Sequence, residues 1–112
     1  NNDINNFRDI LKSAENIVSD WGGKLYFVQL PMWARYYGGN KEEKNDLYDI
    51  IINEVNKLRI PVIDIHKIGF SNVYDPISYY NRRRANSHYN SKGYKMVSDL
   101  IIDRLMKDGL IH

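Results

Sequence analysis

The sequence contains no cysteine, which excludes a disulfide framework and a thiolate zinc site alike. It has no apolar run near the ~20 residues that cross a bilayer, and its amino end does not read as a signal peptide. Charge of one sign is not in excess either: 16 Lys and Arg against 14 Asp and Glu leave a net +2. So small a surplus implies no polyanion partner, and no nucleic-acid track is expected. Internal repeats, heptads and low-complexity linkers are also missing. These absences fit a cytoplasmic and an exported bacterial protein equally. What remains is 112 residues, 43% of them hydrophobic, an ordinary fraction for one globular domain and too high for a disordered chain. The first residue is Asn1 rather than methionine. Residues 1–112 are therefore expected to form a single domain or the carboxyl-terminal part of a larger one.

Residues 4–20, "INNFRDILKSAENIVSD", set Ile4, Phe7, Ile10, Leu11, Ala14, Ile17 and Val18 on one apolar stripe of a helix. Asp3 fits its N-cap, and Gly22–Gly23 its end. "KLYFVQLP" is apolar on both faces from Leu25 to Val28, the pattern of a buried parallel strand. After an aromatic, glycine-bearing loop, "EEKNDLYDIIINEVNKLR" predicts a second helix with Leu47, Ile50, Ile51, Glu54, Val55 and Leu58 along one face. "IPVIDIH" reads as another buried strand, with Pro61 near its start. A long loop from Lys67 to Asn90 follows, and Ser91 is expected to cap a last helix that buries Tyr94, Val97, Leu100, Ile101 and Leu105. Alternation of this kind predicts a three-layer α/β/α, flavodoxin-like fold with a mostly parallel sheet. Two strands are too few for such a sheet, so only its carboxyl-terminal portion is expected here.

Open parallel sheets bind ligands beyond the carboxyl ends of their strands. If the long loop returns over that edge, His88 in "SHYNSKGY" stands there as a candidate general base. "SHYNSKGYKMVSDLIIDRL" resembles the final block of the SGNH (GDSL-like) hydrolases, where a catalytic histidine precedes a polar turn and the terminal helix. "GGKLYFVQLPMWARY" and "LRIPVIDIH" resemble two strands of that family, in the right order. The resemblance spans nearly the whole chain and only the family's carboxyl-terminal half. It implies a serine esterase or acetylesterase whose nucleophile lies outside this chain, with His88 as general base and Asn2 as oxyanion donor. The substrate so implied is a small-molecule or glycan ester. Trp33, Arg35, Tyr89 and Asn90 are the candidate substrate-binding residues, and no cofactor is implied.

Two positions depart from the family's pattern. None of Ser13, Ser19, Ser71, Ser78, Ser87, Ser91 or Ser98 lies in a Gly-Asp-Ser context, and Ala85 occupies the usual place of the acid, for which Asp64 and Asp75 are the alternatives. This piece alone is therefore expected to be inactive, and to pair with a missing amino-terminal half or with itself. The competing class is a non-catalytic binding or assembly module. Asp64, His66 and His88 are too irregularly spaced to signal a metal site. Arg82–Arg84, with Tyr79 and Tyr80, reads as a solvated loop, and His112 as an idle terminus.

Overall fold

The computed structural model describes residues 2–37, 46–81 and 87–112. Along the chain run helix α1 (Asn2–Asp20), strand β1 (Phe27–Gln29), helix α2 (Asp46–Lys57), strand β2 (Val62–Asp64), the short helix α3 (Ile65–Ile68) and helix α4 (Ser91–Lys107). Single 3-10 turns occupy Trp33–Arg35, Phe70–Asn72 and Pro76–Tyr79. Arg82–Arg84 and Ala85 lie outside the described residues. Among those described, no helix is long and apolar enough to cross a membrane.

The three-layer α/β/α, flavodoxin-like expectation is overturned. β1 and β2 form a two-stranded parallel sheet in a helix-rich chain, where that fold needs a larger sheet. Local chemistry explains where β2 ends. The Asp64 carboxylate accepts the N–H of Lys67 at 3.1 Å and caps α3, so "IPVIDIH" leaves the extended conformation at Ile65. The expected loop of residues 67–90 spends its described backbone in 3-10 turns and one isolated antiparallel bridge, Tyr80 to Tyr89. No third strand emerges among the described residues.

The chain divides into two compact units, Asn1–Val28 with Asn45–Val62 and Gln29–Lys44 with Ile63–His112. In the first, α1 packs on α2, and Phe7 meets Phe27 edge-on at 6.0 Å. The expected α1 stripe splits: Phe7, Leu11, Ala14 and Val18 are half-buried, whereas Ile10 and Ile17 face solvent. Asp3 lies within the first turn rather than capping it, where its charge suits the helix dipole. The helix stops at Gly22, whose φ of +79° allows the N–H of Gly23 to reach the carbonyl of Val18 at 2.9 Å. α2 ends by the same device, except that Arg59 takes the left-handed position at φ 59°.

Glu54 of α2 is buried and accepts from Arg8 Nε and Arg8 Nη2 of α1, each at 2.8 Å. The Arg8 hydrogen bond outweighs the opposing effect of burial and holds this carboxyl below its ordinary 4.5. A depressed folded-state pKa makes the ion pair's contribution complete above the ordinary carboxylate range and lost as pH falls through the folded value. Acid titration of stability is therefore expected to show a loss below about pH 4.5 that Glu54→Gln flattens. Identical acid profiles for the two proteins would contradict this role.

Candidate functional site

The second unit has an aromatic core, drawn from segments far apart in sequence. Phe70 is fully buried with Tyr36, Tyr79, Tyr80 and Tyr89 around it, at ring separations of 5.4, 5.4, 5.7 and 5.9 Å. Tyr36 is buried too, and its hydroxyl lies 2.7 Å from Nδ1 of the buried His66. A buried phenol next to an apolar ring needs such a partner, because leaving it unmade would cost its desolvation.

Two further phenols converge on one backbone oxygen. Tyr80 donates to the carbonyl of Pro31 at 2.8 Å, and Tyr89 donates to the same carbonyl at 2.5 Å. Burial pushes Tyr89 up to about 12 against the lowering effect of the neighbouring Tyr80 hydroxyl. Tyr80 is driven further in the same direction, by burial first and then by the nearby Tyr89 and Tyr36, against the opposing charge of Arg35. Both rings thus stay neutral and keep their donor hydrogens across the physiological range.

These two tyrosines frame the turn that carries His88. Tyr80 and Tyr89 form the antiparallel bridge. One residue further on, the N–H of Asn81 donates to the carbonyl of His88 at 3.1 Å. Asn90 finishes the junction. Its backbone N–H reaches the Tyr79 carbonyl at 3.0 Å, and its side-chain amide donates to the carbonyls of Ser78 and Tyr80 at 2.8 and 3.1 Å. Its side-chain oxygen accepts the N–H of Gly93 at 3.0 Å, so Asn90, and not Ser91, caps α4. Gly93 is needed here because a Cβ would collide with the Tyr79 carbonyl. α4 then packs on α3, where Gly69 lies against Leu100 and Met96.

Beside the turn opens a cleft of about 570 Å³, lined by Ser78, Tyr80, Asn81, Tyr89, Asn90, Ser91 and Tyr94. Its lining groups are hydroxyls, amides and aromatic rings, with no charged side chain among those described. Tyr94 was expected in the core, yet it is 57% exposed and meets Tyr89 edge-on at 5.6 Å. It therefore offers a ring to solvent at the mouth of the cleft. Val97, Leu100, Ile101 and Leu105 are half-buried.

The structure treats the sequence-derived candidates unequally. His88 is exposed and is not among the described residues that line the cleft, although Asn81, whose N–H holds the His88 carbonyl, and the neighbouring Tyr89 are. Tyr89 and Asn90 join the cleft, but the polar atoms of both are engaged within the protein. Trp33 packs on Tyr37 at 4.7 Å in the turn after β1, and Arg35 is half-buried in that same turn. Asn2 begins α1 in the other unit and is exposed. Of the acids considered as orienters, Asp64 caps α3. Sequence reasoning missed the Tyr36–His66 pair and the Tyr80–Tyr89–Pro31 junction. The density of tyrosine in residues 67–90 was the available signal, although their partners lie elsewhere in the chain. Among the described residues, no three His, Asp or Glu side chains converge as metal ligands. No family model, curated protein or solved structure matches the chain.

Proposed function

We propose that this chain contributes the general base of an ester hydrolase, with His88 acting on a serine carried outside these residues. The observation that supports this reading is an exposed histidine whose carbonyl is held by the Asn81 N–H and whose next two residues, Tyr89 and Asn90, line an open cleft, although His88 itself is not among the described lining residues. A base must be reachable by the reacting hydroxyl and held in position while it works. His88 takes the serine proton as the serine oxygen bonds to the ester carbonyl carbon. It returns that proton to the departing alcohol oxygen, and a water then releases the acyl group by the same steps.

The cleft suits a hydroxyl-rich alcohol such as a sugar. The exposed hydroxyls of Ser91 and Tyr94 match polar substituents, and the Tyr94 ring offers an apolar face for a pyranose. A fluorophosphonate phosphonylates a serine, with loss of fluoride, where a neighbouring base activates the hydroxyl. The full-length protein is expected to be labelled by such a probe, and complete resistance to it would remove the hydrolase reading.

A further inference from the structure

The junction at Pro31 is more than core packing, because it ties together the segment leaving β1 and the turn that carries His88. We propose that Tyr89, assisted by Tyr80, is a positioning residue that holds the His88 turn through the Pro31 carbonyl. The connections are short and continuous. Tyr89 is the chain neighbour of His88, and its hydroxyl is anchored on Pro31. Across the bridge, Tyr80 is anchored on that same oxygen. The next residue, Asn81, holds the carbonyl of His88. The Asn90 amide closes the other side by binding the Ser78 and Tyr80 carbonyls. The peptide unit that follows His88 is thereby held, while the residue's side chain stays exposed. A long imidazole excursion is what a proton acceptor must avoid, since misplacement by about 1 Å can cost a hundredfold in rate.

The inference separates the ring of Tyr89 from its hydroxyl. The ring packs on Phe70, Tyr80 and Tyr94 at 5.9, 4.8 and 5.6 Å. Tyr89→Phe keeps those contacts and removes only the anchor on Pro31. Losing one hydrogen bond of ordinary strength loosens the turn by about tenfold. In the folded Tyr89→Phe protein, the Asn81 amide is expected to exchange with solvent about tenfold faster, and NMR relaxation to report a less ordered His88 imidazole. The catalytic part of the inference rests on the hydrolase reading. In the full-length protein, kcat is expected to fall about tenfold with KM unchanged, because the missing hydroxyl is already committed to Pro31 and not to substrate.

Tyr80→Phe removes the second anchor while keeping the bridge, and the same direction of change is expected. Unaltered Asn81 exchange and His88 order in both variants would overturn the positioning role. So would a faster Asn81 exchange accompanied by unchanged kcat, or a loss confined to KM. Failure of the hydrolase reading has its own signature, namely ester turnover indifferent to loss of His88, and it leaves the exchange and relaxation measurements to decide the structural claim.

Discussion

Replacing His88 with alanine in the full-length protein is expected to lower ester turnover by about a thousandfold and leave the fold unchanged. The size follows from the proposed role, because removing a positioned proton acceptor ordinarily costs about a hundred- to ten-thousandfold. The preserved fold follows from position. The imidazole is exposed, and what His88 gives the surrounding structure is its backbone carbonyl, which the substitution retains. A change at such a surface site falls within about 0.5 kcal/mol of stability. Hydrolysis of p-nitrophenyl acetate, read beside a denaturant titration, checks both halves. Turnover that survives the substitution would dismiss His88 as the base, and a broad loss of stability would make it a structural residue instead.

Phe70→Ala carries the largest expected cost in stability, about 3–5 kcal/mol. Phe70 is fully buried and touches four tyrosines, so removing its ring leaves a cavity that rigid neighbours cannot collapse to fill. Such a loss is a large share of the 5–15 kcal/mol that holds an ordinary domain together. The tyrosines around it would also lose the packing that aims Tyr80 and Tyr89 at Pro31. Tyr74, which is 100% exposed, provides the contrast: its alanine variant is expected to stay within about 0.5 kcal/mol of the parent. Urea unfolding of the two variants measures the difference. Equal midpoints would show that the ring cluster is not the stabilising centre of its unit.

How far the sequence could be read depended on whether a feature is local. The 3.6-residue period placed α1, α2 and α4 correctly within a few residues, and the glycine pair after α1 marked its end. Strand length was not legible, because it turned on a single side chain. Asp64 bends "IPVIDIH" into α3 by accepting one N–H, and the apolar run alone gives no warning of that. Asn90 and Ser91 are both good helix caps. Asn90 prevails because its amide also reaches two carbonyls of the preceding turn, a condition met only after the chain has folded back. The same limit hid the aromatic centre. Pro31, Tyr36, His66, Phe70, Tyr80 and Tyr89 obey no shared period, and only tertiary contact brings them together. Tyr89 and Asn90, adjacent in sequence, both line the cleft, whereas His88 beside them is not among its described lining residues.

A carbonyl oxygen has two lone pairs, and at Pro31 each is already taken by a phenol. Proline also brings no N–H of its own. This peptide group is therefore chemically saturated, with nothing left to offer water or an arriving molecule. It serves as a rivet between stretches of chain that lie far apart in sequence.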